Sequence, residues 1–238
     1  QLQRSEPLLS ILFLRILDER ETREAEEAEA VSAEYTPSLV APYRWQDWAA
    51  PGGPKRTELQ NASLGAFFGF VNSELIPHLR KLRERPNATS RQKVISEIFS
   101  GVERTRIDTE RNLLDILDKV HEISADNVDT THVFTLSQVY EGLLLKMGER
   151  GNDGGQFFTP REIIRVMVRA IDPKIGETIY DPGCGTGGFL AQSFEHMAGQ
   201  NNANITSADQ LETLKQRTFY GREKDNLIYP IALANLVL

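Results

Sequence analysis

The feature that most constrains this 238-residue chain is a glycine-rich turn between a predicted strand and a predicted helix. A β-branched and aromatic run at 178–180 is followed by Asp181, by four glycines within six positions, and by an apolar helical pattern that starts at Phe189. Doubly wound α/β domains hold nucleotide-like ligands with such a unit, because glycines let the backbone turn with positive φ and approach the ligand. An ordinary turn needs only one or two glycines, so this run predicts a ligand-binding turn.

The residues around the glycines indicate which ligand the turn suits. No lysine follows the last glycine, which argues against the triphosphate-binding loop of P-loop proteins. Asp181 stands ahead of the glycines, whereas a dinucleotide-binding site carries its acid well downstream. A carboxylate at the end of a strand repels a pyrophosphate and suits a cation such as an amino group or a sulfonium. A nicotinamide-dependent dehydrogenase is therefore disfavoured.

The first 150 residues are predicted to form a helical domain. Apolar residues at helical spacing predict a long helix from Leu8 to about Ala33, and its glutamate-rich second half is interpreted as solvent-exposed. An irregular segment at 35–55 holds both tryptophans, which either anchor the loop to the core or stack on bases. Residues 59–120 carry three apolar helical stripes, the first of them starting at Leu64. The basic side chains in this region form either solvated helix faces or a phosphate-contacting strip: Arg80, Lys81, Arg83, Arg85, Arg91, Lys93, Arg104, Arg106 and Arg111.

A domain boundary is predicted near residue 150, after a further predicted helix at 136–147 and within a glycine-rich polar linker. The next element, G-Q-F-F-T-P-R-E-I at 155–163, predicts a helix with Thr159 as N-cap and Pro160 as its first residue. The free N–H groups at such a helix start suit a carboxylate, for instance that of a methionine moiety.

Two motifs in this order resemble those of a known family. Asp-Pro-Gly-Cys-Gly-Thr-Gly-Gly-Phe, at 181–189, resembles the S-adenosyl-L-methionine-binding motif of DNA adenine-N6 methyltransferases. More narrowly, it is similar to that of the modification (M) subunit of type I restriction-modification systems, which carry an element like Gln-Phe-Phe-Thr-Pro-Arg, at 156–161, just before it. The resemblance implies an α-helical N-terminal domain at 1–150, making DNA and subunit contacts. It implies that 151–238 are the start of an α/β Rossmann-like methyltransferase domain.

The resemblance also implies the residues of a cofactor site. A second strand is predicted at 218–221, and Glu223 after it would hydrogen-bond the ribose hydroxyls of S-adenosyl-L-methionine, as acids do at this position of doubly wound folds. A polar loop is predicted at 199–210 and a helix at 225–238. The glycine-rich turn would line the methionine side of the cofactor, and residues 156–161 would close over it. The implied cofactor-binding residues are Gln156, Phe157, Phe158, Thr159, Pro160, Arg161, Asp181, Gly183, Gly185, Thr186, Gly187, Gly188 and Glu223.

The implied reaction is methyl transfer from S-adenosyl-L-methionine to adenine N6 in DNA. The family uses an Asn/Asp-Pro-Pro-Tyr/Phe segment to bind the target amino group and stack on the flipped base. This tetrapeptide is absent from the sequence and is expected to lie beyond Leu238, so no catalytic residue is assigned and the chain is expected to be an inactive fragment. The implied partners are DNA, a specificity subunit, a second modification subunit and a restriction nuclease subunit. Two alternatives stay open: a methyltransferase acting on protein or small molecules, and a non-catalytic assembly module with a cofactor-like turn.

Composition and charge limit the remaining possibilities. A net charge of −7 and a pI near 5.3 argue against autonomous binding of duplex DNA. They allow DNA as a substrate if a partner provides most of the DNA contacts. Cys184 is the single cysteine, which excludes an internal disulfide and a cysteine-cluster zinc site, and we interpret it as a packing residue under the turn. No metal site is predicted. The sequence shows no signal pattern and no apolar run of membrane-spanning length, so a cytoplasmic location is expected.

Overall fold

The computed structural model describes residues 6–30, 32–122, 159–225 and 228–237. These residues belong to two compact units, one reaching to residue 122 and the other running from 159 to 236. The predicted boundary near residue 150 and the predicted helix at 136–147 lie outside the described residues, so both stay predictions.

The described part of the first unit is helical, as its apolar stripes predict. Threonine side chains cap two of its helices: Thr89 accepts the N–H of Gln92 within a capping box, and Thr109 accepts the N–H of Asn112. The helices are α1 (Glu6–Ala30), α2 (Trp45–Trp48), α3 (Pro54–Gln60), α4 (Ala66–Phe70), α5 (Ile76–Arg80), α6 (Ser90–Ile98) and α7 (Glu110–His121), with a π-helical turn at Val71–Leu75 and a 3-10 turn at Leu82–Glu84.

Both tryptophans of the irregular segment lie in the core of this unit. Trp45 is 1% exposed and Trp48 is 2% exposed. The ring of Trp48 packs 6.4 Å from that of Phe67, measured between centroids, and Trp45 Nε1 donates to His121 Nδ1 at 3.1 Å. The tryptophans therefore anchor the loop to the helices, and neither ring is accessible to a base.

The glutamate-rich half of α1 is only partly solvent-exposed, so the sequence interpretation is wrong at two positions. Glu21 is 8% exposed, and its two carboxylate oxygens accept the N–H of Ser38 at 3.1 and 3.2 Å. Glu24 pairs with both terminal nitrogens of Arg91, at 2.7 and 3.0 Å. These contacts join residues far apart in sequence, which explains why local helical pattern did not predict them.

The first apolar stripe starts later than predicted. Leu64 is fully exposed, because residues 61–65 form a turn and α4 begins only at Ala66. Phe67, three residues further on, is completely buried and is the first core residue of this stripe.

The second unit, in its described residues, contains a small parallel sheet packed with helices. Ile179 pairs with Phe219 and Asp181 pairs with Gly221 in parallel register. Parallel strands need a long crossover connection, which two helices provide here. The elements are α8 (Arg161–Ile171), β1 (Ile179–Asp181), α9 (Gly188–Ala198), α10 (Ala208–Gln216), β2 (Phe219–Gly221) and α11 (Tyr229–Val237), with a 3-10 turn at Gln200–Asn202.

The predicted polar loop at 199–210 is wrong at its end. Ser207 caps α10 by accepting the N–H of Gln210 at 3.2 Å, and the helix buries Leu214. Most of its other residues are polar, and Leu214 is its one buried residue.

For two other helices, the bounds in the structure can be compared with the predicted bounds. The last helix, predicted at 225–238, starts later than predicted, since α11 begins at Tyr229. Its predicted last residue, Leu238, lies outside the described residues, and α11 is described as far as Val237. By contrast, α8 ends before Asp172-Pro173 as predicted, with Asp172 in the left-handed conformation.

Candidate cofactor-binding site

The two strands leave the sheet at the same edge, because they are parallel neighbours in register. Asp181, the last residue of β1, lies opposite Gly221, the last residue of β2. The two backbones stay joined beyond the strands: the N–H of Arg222 donates to the Asp181 carbonyl at 2.9 Å, and the N–H of Cys184 donates to the Arg222 carbonyl at 3.0 Å. In open α/β sheets, ligands bind outside this carboxyl edge. The glycine-rich turn and Glu223 are thus brought together at one edge.

The turn contains two residues whose conformation requires glycine. Gly185 has a φ of +54° and Gly187 a φ of +83°, both in the left-handed region that a Cβ disfavours. The N–H of Gly187 donates to the carbonyl of Cys184 at 2.8 Å and closes the turn. Because α9 starts at Gly188, the turn leads directly into a helix whose first N–H groups have no partner within the helix.

Two carboxylates brace this turn. Asp181 Oδ1 accepts the N–H of Gly183 at 3.1 Å, and Glu223 Oε2 accepts the N–H of Gly185 at 2.9 Å. The other oxygen of Glu223, Oε1, accepts the next two backbone N–H groups of its own loop, at 2.7 and 2.8 Å. Glu223 therefore links the loop after β2 to the turn after β1, across 38 positions of sequence.

The pKa of the Cys184 thiol depends on the electrostatic environment of the turn. Burial raises the pKa of its thiol, and the negative charges of Asp181 and Glu223 raise this pKa further. The thiol is thus protonated at neutral pH and is a poor nucleophile. Its side chain packs under the turn as predicted, since a Cβ on Gly221 would lie 3.0 Å from its Sγ. The same two carboxylates make the field at the turn favourable for a cationic ligand.

The second motif is only partly described. Gln156, Phe157 and Phe158 lie outside the described residues, and their predicted place in the pocket stays a prediction. Thr159 and Pro160 are exposed at the start of α8.

The expected position of the catalytic segment, beyond Leu238, also lies outside the described residues. The structure therefore does not test the location of that segment, which stays a prediction. No catalytic residue is assigned.

The predicted start of α8 is wrong by one residue. Pro160 occupies the N-cap position and Arg161 is the first helical residue, so the side chain of Thr159 does not cap the helix. The carbonyl oxygen of Pro160 accepts the N–H groups of Ile163 and Ile164 instead, at 3.0 and 3.1 Å. The fixed φ of proline suits an N-cap carbonyl as well as a first helical position.

The start of α8 packs closely on the end of the glycine-rich turn. A Cβ placed on Gly188 would lie 3.0 Å from Ile164 Cδ1 and 3.6 Å from Arg161 Nη1. The close approach of α8 therefore depends on the small residue at 188. It brings Arg161, the last residue of the second motif, beside the first motif.

Sequence reasoning assigned no site role to one residue that contacts the turn. Asn235 of α11 is 2% exposed, and its Nδ2 donates to the carbonyl oxygen of Thr186 at 2.7 Å. The available signal was a single polar residue inside an otherwise apolar helical stretch at 229–237. Such a residue must find a hydrogen-bond partner when it is buried.

Two of the basic residues of the helical unit pair with glutamates. Arg91 is held by the glutamates of α1, and Arg83 pairs with Glu97 at 2.9 Å. Arg80 and Lys81, at the end of α5, are exposed.

Two kinds of site are absent from the described ranges. Across residues 6–30, 32–122, 159–225 and 228–237, no three His, Cys, Asp or Glu residues group in a way that could hold a metal ion. None of the helices in that part of the chain combines the length and the apolar character needed to cross a membrane.

Comparison with known proteins agrees with the two motifs. Residues 131–238 match the family described as N-6 DNA Methylase. The chain is 34% identical over 236 residues to the Type I restriction enzyme EcoEI methylase subunit of Escherichia coli, a match that covers 99% of this chain and 44% of that protein.

Solved structures give the same result. The chain resembles a modification subunit of a putative type I restriction enzyme from Vibrio vulnificus YJ016, with a TM-score of 0.78 and 32% identity over 97% of this chain and 47% of that one. It also resembles a chain from a structural study of complex assembly and conformational transition of the type I R-M system, with a TM-score of 0.61 and 32% identity over 99% of this chain and 44% of that one. The predicted resemblance to type I modification subunits is thereby confirmed. The chain spans less than half the length of these relatives.

Proposed function

We propose that this chain, which is related over nearly its whole length to type I methylase subunits, is part of such a modification subunit. The intact protein would transfer a methyl group from S-adenosyl-L-methionine to adenine N6 in DNA. The match to the N-6 DNA methylase family supports this reaction, because it covers the residues that carry the glycine-rich turn. Since the chain spans under half of its relatives, the activity is assigned to the intact protein.

We assign residues 151–238 to the first part of a Rossmann-like methyltransferase domain and residues 1–150 to a helical domain. Two parallel strands joined by a helical crossover support the Rossmann-like assignment, because this βαβ arrangement is its repeating unit. The ligand then sits beyond the carboxyl edge of the strands.

One observation carries the cofactor assignment: two carboxylates flank a bare glycine turn at the ends of adjacent parallel strands. A pyrophosphate is repelled by such a site, whereas the sulfonium and ammonium groups of S-adenosyl-L-methionine are attracted. The cofactor supplies an activated methyl group when it is bound. The turn at 183–188 would line its methionine side, and Glu223 Oε2 would accept a ribose hydroxyl in addition to the N–H of Gly185.

The remaining pocket residues are proposed from their position beside the turn. Arg161 packs against Gly188, so its guanidinium is well placed for the methionine carboxylate. Residues 156–160 precede it directly and would close over the cofactor. No catalytic residue is proposed, because the Asn-Pro-Pro segment that would bind the target amino group is absent from this sequence.

We propose that the intact protein works in a complex with DNA, a specificity subunit, a second modification subunit and a restriction nuclease subunit in the cytoplasm. Similarity to a chain from a structural study of complex assembly of the type I R-M system supports a multi-subunit complex. The acidic charge of the chain fits this arrangement, because a partner would have to supply most phosphate contacts. On the helical domain, Arg80 and Lys81 are exposed cations suited to a subunit or DNA contact.

The cofactor assignment is tested by calorimetry on the full-length gene product. S-adenosylhomocysteine and its 2′-deoxy analogue are titrated into the wild type and into Glu223→Ala. A hydrogen bond to a charged acceptor contributes about 1.5–3 kcal/mol, so the wild type should prefer the ribose form by roughly tenfold or more. This preference should disappear in Glu223→Ala, because the acceptor is gone.

Glu212→Ala is the matched control, since Glu212 is an exposed glutamate of α10. It should keep both the affinity and the ribose preference. A wild type that binds neither compound would overturn the cofactor assignment. A preference that persists in Glu223→Ala would overturn the role of that residue.

The reaction class is tested separately on the reconstituted complex. Tritiated S-adenosyl-L-methionine should label DNA at adenine N6 and should leave protein glutamine unlabelled. Tritium found only in protein would contradict the assignment of DNA as the substrate.

A further inference from the structure

The buried amide of Asn235 is the polar exception in α11. The neighbouring residues Ile231, Ala232 and Ala234 are buried and apolar, while Asn235 is 2% exposed. Burying an amide without a hydrogen bond costs about 1–3 kcal/mol in proteins. Its contact with the turn, at 2.7 Å from Nδ2 to the Thr186 carbonyl oxygen, offsets that cost.

This contact fixes one peptide unit of the turn from both ends. Thr186 is 4% exposed, so its carbonyl accepts from Asn235 away from bulk water. The N–H of the same peptide unit, which belongs to Gly187, donates to the carbonyl of Cys184 at 2.8 Å. Because a peptide unit is planar and rigid, holding its oxygen and its N–H sets the orientation of the whole unit.

Gly187 is a position of the turn where such an anchor has an effect. Gly187 has a φ of +83° and, lacking a Cβ, can rotate to other conformations at little steric cost. The same helix also packs on it: a Cβ on Gly187 would lie 3.7 Å from the carbonyl oxygen of Ala232. α11 therefore holds the turn both by packing and by one directed hydrogen bond.

We infer that Asn235 is a positioning residue of the cofactor site, acting through the Thr186–Gly187 peptide unit without touching the cofactor. This inference rests on the proposed function of the turn. The orientation of this unit decides how the backbone of 185–188 faces the ligand and where α9 begins. Loss of the donor should weaken cofactor binding through a mispositioned turn.

The test uses Asn235→Asp in the full-length gene product, with S-adenosylhomocysteine as the probe. Aspartate has the shape of asparagine, but its ionised carboxylate places an acceptor against the Thr186 carbonyl. At neutral pH the affinity should fall by at least tenfold relative to the wild type. As the pH is lowered, the buried carboxylate takes up a proton and its O–H can donate to the same carbonyl, so the ratio of the two affinities should approach one.

Two comparisons separate positioning from a general loss of stability. Asn204→Asp is the matched control, because Asn204 Nδ2 also donates to a backbone carbonyl, that of Met197 at 3.2 Å. It should bind as the wild type does at every pH. The wild-type titration over the same pH range accounts for pH effects on the rest of the turn, where the charged groups are Asp181 and Glu223.

Hydrogen–deuterium exchange gives the local readout. Exchange of the peptide covering 183–190 should rise in Asn235→Asp, while exchange across α10 stays unchanged. Equal affinity of Asn235→Asp and wild type at neutral pH would overturn the inference, as would a loss accompanied by faster exchange throughout the unit. A wild type that fails to bind the probe would instead overturn the proposed function.

Discussion

Replacing Arg91 with alanine should destabilise the helical unit far more than removal of an exposed arginine. Arg91 contacts Glu24 through two nitrogens, at 2.7 and 3.0 Å, and Glu21 through one, at 3.4 Å. Its removal leaves Glu21 without its cation and leaves Glu24 with Arg20 alone, at 3.0 Å. Breaking a buried ion pair costs about 3–5 kcal/mol. Because the Arg91 and Glu24 side chains remain 23% and 29% exposed, we expect about 2–3 kcal/mol.

The pH dependence gives a second, independent signature of this ion pair. Burial raises the pKa of Glu24, but hydrogen bonds and charges from Arg91 and Arg20 outweigh burial and lower it from 4.5 to about 2. A depressed pKa in the folded state means that stability is present above pH 4.5 and is lost as the pH falls towards 2. The stability difference between wild type and Arg91→Ala should therefore shrink over this window.

Urea denaturation followed by tryptophan fluorescence measures the effect, because Trp45 and Trp48 report on the core of this unit. Arg83→Ala is the matched control: Arg83 also pairs with a glutamate at 2.9 Å, but the two side chains are 54% and 37% exposed. Exposed pairs contribute about 0–1 kcal/mol, so this variant should lose little. Equal losses in the two variants, or a loss in Arg91→Ala that persists unchanged at pH 2.5, would refute the reasoning.

Four further substitutions test the turn, the neighbouring strand β2 and a helix cap. Gly187→Ala should lower affinity for S-adenosylhomocysteine in calorimetry and cost about 1 kcal/mol or more, because Gly187 has a φ of +83°. Gly183→Ala should leave the stability nearly unchanged, since no atom of the chain lies within 4 Å of its Cβ position; a loss of stability equal to that of Gly187→Ala would contradict the conformational argument. Gly221→Ala should lower the melting temperature, because the new Cβ would lie 2.8 Å from Leu190 Cδ1. An unchanged melting temperature would show that the Leu190 side chain moves away without cost. Thr109→Ala should cost about 1 kcal/mol in urea by uncapping α7, and a neutral result would contradict the cap.

Local signals in the sequence predicted much of the second unit. The strand, the glycine turn and α9 follow one another as the spacing indicates, and the Asp172-Pro173 stop of α8 is confirmed. These features depend on backbone conformation and on neighbours a few residues away, which a sequence pattern records directly. The start of helix α10 was missed, and only Leu214 of its residues is buried.

The sequence by itself predicted the elements of the proposed ligand site: a carboxylate at a strand end, a turn that needs glycine, and a second motif at a helix start. Only the tertiary structure decided which distant groups complete it. It placed Glu223 on the N–H of Gly185 and Asn235 on the carbonyl of Thr186. It also paired Arg91 with Glu24 of α1. A hydrogen bond or ion pair across tens of residues depends on how helices and strands pack, and that packing leaves no fixed spacing in the chain.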